Sequence, residues 1–192
     1  MSTRITLGIS ALAASLLFSP AAFAQGAVTV IGGGLGQACY EAAEGQRIAP
    51  MKAMEICNLA LTNETLKRRD KAATYTNRGI LHMRMGNNTK AMWDYEKSLA
   101  MMPNLKEAKV NLGAALYNLK RYPEALAALN EGVGSESETA RIVGYYNRGL
   151  THEKLGNLQA AYEDFREALK MKPDFKQAQD QIARFTIVPA AS

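Results

Sequence analysis

The feature that most constrains the fold of this 192-residue chain is an internal repeat. Residues 75–104 align with residues 145–174 at an offset of 70, and a third copy lies between them. The identical pairs include Tyr75/Tyr145, Asn77/Asn147, Arg78/Arg148, Gly79/Gly149, His82/His152, Gly86/Gly156, Ala91/Ala161 and Pro103/Pro173. A unit of this size buries its apolar face only against its neighbours, so the chain is predicted to form an array of stacked repeats.

Each copy has the hydrophobic pattern of two helices. Large residues recur at spacings of three and four, which gives one apolar stripe per helix, and Pro103 and Pro173 end helices that cannot continue through them. A glycine stands in mid-helix in every copy, although it costs about 1 kcal/mol there relative to alanine. Such a recurring cost predicts close helix–helix approach, with small residues facing the glycines. The glycines are Gly79, Gly113 and Gly149, and the expected facing residues are Ala91, Ala125 and Ala161.

These residues resemble the tetratricopeptide repeat, a 34-residue helix–turn–helix unit. The resemblance implies an all-α fold, a short right-handed α-solenoid of about nine helices. The middle copy departs from the pattern at Lys109 and Ser137, and it has two extra residues around 132–135. The predicted boundaries are a degenerate helical hairpin over 36–71, repeats over 72–105, 106–141 and 142–175, a capping helix over 176–185 and a tail over 186–192.

The N-terminus has the three parts of a secretory signal. Arg4 precedes an apolar run from Ile5 to Phe18, and Ala22-Phe23-Ala24 forms a small-residue cleavage site. The run is shorter than the ~20 residues that span a membrane. We therefore predict a signal peptide over 1–24, no integral membrane segment after its removal, and a periplasmic or secreted bacterial location.

Export determines the interpretation of Cys39 and Cys57, the two cysteines of the chain. In an oxidising compartment a lone pair is most simply a structural disulfide. A redox pair is the alternative, but the Cys-x-x-Cys spacing is absent. We predict the disulfide, with Cys57 in the degenerate hairpin at the position that an aromatic residue takes in the repeats.

Residues 28–36 read VTVIGGGLG, which imitates a strand leading into a dinucleotide-binding turn. The fingerprint requires a glycine where this chain has Gln37, and no further parallel strands are predicted downstream. Residues 25–35 are therefore predicted to be a flexible leader, and no cofactor is expected. The two histidines lie two repeats apart, so no metal site is predicted either.

The resemblance implies that the first helix of each repeat lines a concave groove for a peptide or a partner helix. Asn77, Asn111 and Asn147 stand two residues before the repeat glycines, where some members of the family carry an asparagine ladder. A primary amide can pair with both polar groups of a peptide backbone. The other predicted groove residues are Thr76, Ile80, Met83, Arg84, Val110, Tyr117, Tyr146 and Leu150.

The asparagines have a second interpretation. They can hydrogen-bond within the array, because most side-chain hydrogen bonds in proteins go to backbone or water. Both interpretations stay open at the level of sequence.

Function classes are narrowed by what the sequence lacks. No nucleophile–base pattern, HExxH motif or phosphate loop occurs, so we do not expect an enzyme. The basic residues are spread along the array without interleaved aromatics, so we expect no nucleic-acid partner. We expect an exported protein-interaction module or adaptor. The alternative is a self-associating structural component of an envelope assembly, in which case the chain would be a homo-oligomer.

Overall fold

Helices account for most of the chain that the structure describes. The structure is a computed structural model, and it describes residues 3–7, 22, 26–30, 33–45 and 47–189. The helices are α1 Leu35–Gly45, α2 Pro50–Asn63, α3 Arg68–Arg84, α4 Asn88–Met101, α5 Lys106–Asn118, α6 Tyr122–Gly132, α7 Glu138–Lys154, α8 Leu158–Met171 and α9 Lys176–Ile182. Consecutive helices pack as hairpins, and each hairpin packs on the next. The predicted all-α solenoid is confirmed.

Two short strands complete the described elements. Strand β1, Thr3–Leu7, pairs antiparallel with β2, Phe185–Pro189, and Ile5 lies opposite Ile187. The sequence analysis instead extended the capping helix to residue 185 and left residues 186–192 as a tail. The helix ends earlier because the Phe185 ring packs on α8, 5.8 Å from the Tyr162 ring and 6.0 Å from the Phe165 ring.

The helices of two repeats begin earlier than the predicted repeat boundaries. Helices α3 and α7 start at Arg68 and Glu138, before the predicted starts at 72 and 142. In α7 the reason is a cap: the Ala140 N–H donates to Ser137 Oγ at 3.3 Å. Of the predicted signal peptide only Thr3–Leu7 and Ala22 are described, and the rest lies outside the described residues.

The predicted disulfide between Cys39 and Cys57 is confirmed, and it joins α1 to α2. Both residues are fully buried in a small core with alanines of the same hairpin. Leu81 of α3 contributes to this core. The disulfide therefore links the two helices of the degenerate hairpin, and apolar packing attaches this hairpin to the first repeat.

The repeat glycines allow the two helices of each repeat to approach closely. A Cβ added to Gly79 would lie 2.4 Å from Tyr95 Cε1, and one added to Gly113 would lie 2.4 Å from Leu129 Cγ. Gly149 has the same relation to the Phe165 ring. The expectation that alanines face the glycines is wrong. The facing residue is the large one, four positions beyond each alanine, and it fills the space that a missing Cβ leaves.

We expect Gly113→Ala to lower the free energy of unfolding by about 1 to 2 kcal/mol. Overpacking against fully buried Leu129 destabilises the fold by more than the higher helix propensity of alanine stabilises it. Gly45→Ala is the control, because its Cβ would come no closer than 3.7 Å to Arg47. Urea unfolding measures both variants, and equal stability of the two would contradict the close-approach argument.

The turn of the middle repeat is strained. Gly86 and Gly156 follow α3 and α7 with φ of 74° and 80°, and the equivalent position after α5 is Lys120, with φ of 62°. An L-residue with a Cβ is disfavoured in this left-handed region by roughly 1 to 2 kcal/mol.

We expect Lys120→Gly to raise the free energy of unfolding by about 0.5 to 1 kcal/mol, because glycine relieves the strain but loses more chain entropy on folding. Lys120→Ala keeps the Cβ and controls for loss of the charged side chain. A thermal melt in which the alanine variant gains as much stability as the glycine variant would show that backbone strain is not the cause.

Candidate functional site

A segment of the chain's own leader, residues 26–30, is held by the array. The Val28 N–H donates to Asn77 Oδ1 at 2.8 Å, and Asn77 Nδ2 donates to the Val28 carbonyl at 2.9 Å. Asn77 is fully buried. One primary amide thus satisfies both polar groups of one residue, as a neighbouring β-strand would. Part of the predicted flexible leader therefore has a defined place against α3.

A second asparagine holds backbone in the same way. The Ala22 N–H donates to Asn118 Oδ1 at 3.0 Å, and Asn118 Nδ2 donates to the Ala22 carbonyl at 3.2 Å. The sequence analysis missed Asn118. It ends α5, and its repeat equivalents are Arg84 and Lys154, so no pattern of recurring asparagines marks it.

The predicted asparagine ladder has different surroundings in each repeat. Asn111 is fully buried, and neither atom of its side-chain amide has a hydrogen-bond partner. Asn147 is also fully buried on α7. The unpaired amide of Asn111 costs about 1 to 3 kcal/mol per unsatisfied group.

The leader side chains alternate between buried and exposed. Val28 and Val30 are buried in a cluster with Ala73 of α3, and Thr29 between them is exposed. The cluster is completed by Tyr40 of α1 and Leu105 at the start of α5. The alternation is that of an extended strand with one face on the array.

Two clefts flank this segment and share Ala27 and Ser137 in their linings. One, of about 330 Å³, includes Glu44 and Arg84, and the other, of about 270 Å³, includes Arg69 and Glu107. Each lining therefore has one cation and one anion. Burial is the main cause that lowers the pKa of Arg84.

The structure separates the other predicted groove residues into three groups. Ile80 and Arg84 line the larger cleft. Thr76 bonds within its own repeat, through its own helix and Ser98 of α4. All five of the remainder are used in packing: Met83, Val110, Tyr117, Tyr146 and Leu150 lie in or against the apolar cores.

Tyr146 illustrates why these positions are internal. Its ring packs 5.9 Å from the Phe165 ring and 5.1 Å from the Phe175 ring. Burial is the main cause that raises its pKa to about 12. Similarly, Val110 fills the space beside Gly132 and Gly144. The helix face that carries these side chains joins neighbouring repeats and is therefore internal.

An ion pair that recurs in the outer repeats was missed. The Arg78 guanidinium donates to both carboxylate oxygens of Asp94, at 2.8 and 2.7 Å, and Arg148 donates to Asp164 at the same distances. The signal was available, because Asp94 and Asp164 are identical at the same offset of 70. The middle repeat replaces both partners with apolar residues, Leu112 and Ala128.

A histidine accompanies each of these ion pairs. His82 Nε2 lies 3.9 Å from Asp94 Oδ2, and His152 has the same relation to Asp164. Burial is the largest effect on each histidine and lowers its pKa, although the aspartate opposes it. No group of three or more side chains suited to a metal ion occurs among the described residues.

We expect acid to destabilise the fold through these histidines. Their folded pKa lies below the ordinary value near 6.5, so the unfolded chain takes up protons first and stability falls as pH drops below about 7. The double variant His82→Leu/His152→Leu reproduces Leu116 of the middle repeat and should flatten this slope. Urea unfolding between pH 7.5 and 5.5 measures how the free energy of unfolding changes with pH. The same pH dependence in wild type and double variant would contradict its assignment to the two histidines.

Profiles of one family match the repeats. Two profiles described as tetratricopeptide repeat match residues 76–138 and 142–175, together about half of the chain.

No described helix is long and apolar enough to cross a membrane.

Curated relatives match over part of their length. The chain is 27% identical over 133 residues to Protein SGT1 homolog of Bos taurus, covering 69% of this chain and 38% of that protein. It is 32% identical over 78 residues to DnaJ homolog subfamily C member 7 homolog of Schizosaccharomyces pombe, covering 41% and 16%. The chain thus spans less than two fifths of either relative.

Solved structures match over most of the chain. A crystal structure of MamA superposes with a TM-score of 0.61 at 20% identity, covering 79% of this chain and 82% of that one. MamA from Desulfovibrio magneticus RS-1 gives 0.61 at 21% identity, covering 78% and 82%. At these identities the likeness concerns the fold.

Proposed function

This chain belongs to the tetratricopeptide repeat family, and from that premise we propose that it is an exported protein-interaction module whose concave groove binds an extended segment of a protein partner. The observation that carries the proposal is the double hydrogen bond between Asn77 and the backbone of Val28. A groove that pairs with backbone in this way accepts a segment without reading each of its side chains.

The unpaired amide of Asn111 supports the same proposal. Its two polar atoms are buried one repeat along from Asn77. A partner backbone that pairs with Asn111 as Val28 pairs with Asn77 would satisfy them and remove the cost of a buried amide without partners. In this proposal the asparagines of the three repeats are the backbone-binding residues.

Export is supported by two features of the chain. The first is the signal pattern over residues 1–24, and the second is the disulfide between Cys39 and Cys57, a bond typical of oxidising compartments. A periplasmic location in a bacterial envelope follows as part of the proposal. Cleavage after Ala24 would remove Ala22 and release Asn118, while residues 26–30 would stay attached.

Self-association is the second candidate, and β2 is the observation that favours it. In the described chain its edge is covered by β1. Signal cleavage would remove β1 and leave an unpaired edge of Phe185–Pro189, which a second copy could cover. A concentration-dependent mass in solution distinguishes this assembly from a monomeric adaptor.

The test of the groove is capture from envelope extract by the mature chain. We expect the wild type to retain a partner. The triple variant Asn77/Asn111/Asn147→Ala should capture at least about tenfold less of this partner, because each lost backbone pairing weakens binding. Asn58/Asn130→Ala is the control, since these amides contact Arg78 and Arg148 outside the ladder. Circular dichroism must show equal helicity.

Equal capture by wild type and triple variant would move the binding surface elsewhere. The next surface to test is then the cleft beside Trp93, which is 55% exposed and neighbours exposed Met51.

A further inference from the structure

We propose that residues 26–30 are a tethered competitor for the groove, and that the partner which displaces them is an uncharged extended segment with β-branched side chains at alternate positions. The inference rests on the proposed function, because it names the class of segment that the groove takes and the step that precedes binding.

The competitor has the contacts of a ligand. Val28 exchanges two hydrogen bonds with Asn77, and Val28 and Val30 bury their side chains against Ala73. Gly26 at the other end lies against α7, where an added Cβ would be 3.4 Å from Ala140 Cβ. These five residues thus bridge the first and third repeats of the array.

The attachment of the competitor is short. The Gly36 N–H donates to Glu64 Oε2 at 2.7 Å, which fixes the start of α1 to the end of α2. Gly33 precedes this anchor, and an added Cβ there would meet nothing within 4 Å. A tether of this length holds a segment at an effective concentration of roughly millimolar. A free segment of the same intrinsic affinity must overcome that local concentration.

The competitor leaves polar groups unpaired and clefts unfilled, so a partner that makes these contacts can displace it. It leaves the buried amide of Asn111 unpaired. It also leaves clefts of about 330 and 270 Å³ on its two sides, where its own residues Gly26 and Ala27 are small. A partner with larger side chains would fill the clefts, and a backbone that runs within reach of Asn111 would pair with its amide.

The balanced charges of the clefts favour a partner segment without net charge. Glu44 offsets Arg84 in one lining, and Glu107 offsets Arg69 in the other. A segment rich in carboxylates or in lysines would meet a like charge in both clefts. The buried sites of Val28 and Val30 select for β-branched apolar residues at alternate positions.

The experiment titrates a labelled peptide with the sequence of residues 25–33 into the full chain and two variants. Val28→Pro removes the N–H that donates to Asn77 Oδ1 and so weakens the competitor. Thr29→Ser keeps the backbone donor and the hydroxyl, and it is the matched control.

We expect the peptide to bind Val28→Pro about tenfold more tightly than it binds wild type or Thr29→Ser, measured by fluorescence anisotropy. A peptide N-methylated at the Val28 position should bind the Val28→Pro chain with about tenfold lower affinity. A peptide with aspartate at the two valine positions should not bind. Hydrogen exchange should show that bound peptide exposes the Val28 amide of the wild-type chain.

Three results would overturn the inference. Equal peptide affinity for all three chains, abolished by Asn77→Ala, would leave the groove as a peptide site but remove the competitor. A dimer of wild type that Val28→Pro dissociates would place the leader in the groove of a second copy. The third result is that the peptide binds none of the chains. If Asn77/Asn111/Asn147→Ala still loses the envelope partner, this result overturns the further inference alone. If that variant captures the envelope partner as well as wild type does, the proposed function is overturned too.

Discussion

The close approach of two helices at a glycine is the constraint on which the rest of the structure depends. In each repeat the ring or branched side chain of Tyr95, Leu129 or Phe165 occupies the space where a Cβ would stand. This contact fixes how near the second helix lies to the first. Because each hairpin then packs on the next, one added methyl group at a glycine would change the spacing of Asn77, Asn111 and Asn147 along the array.

The outer and middle repeats stabilise the same hairpin by different chemistry. The outer repeats place an arginine–aspartate pair with a histidine beside it, whereas the middle repeat has Leu112, Leu116 and Ala128 at the three equivalent positions. All three changes occur together, which is consistent physically: a buried carboxylate without its arginine would be strongly destabilising, while an apolar set of similar shape is not. The replacement therefore preserves the hairpin, and with Leu116 in place of a histidine the middle repeat lacks the titrating group of the outer repeats.

Spacing predicted the fold because helical packing repeats in the sequence: Gly79, Gly113 and Gly149 located three hairpins, and Cys39 and Cys57 located a fourth. The site was less predictable. A ladder at Asn77, Asn111 and Asn147 follows from the repeat, and Asp94 could have been found at the same offset. The position of residues 26–30 could not, since an alternating Val-Thr-Val specifies an extended segment but not the surface on which it lies. The pairing of Asn118 with Ala22 is equally non-local and carries no periodic signal.

The asparagine at this repeat position has different hydrogen bonding in the first and middle repeats. Asn77 is satisfied by the chain's own backbone, so its amide contributes to holding the leader. Asn111 is equally buried but unsatisfied, so it lowers the stability of the unbound array. A buried amide of this kind is tolerated where the surrounding packing is strong, and α5 is held between α4, α6 and α7. Under the proposed function, this destabilisation is recovered when partner backbone pairs with Asn111, so binding energy goes to segments whose backbone runs within reach of that amide.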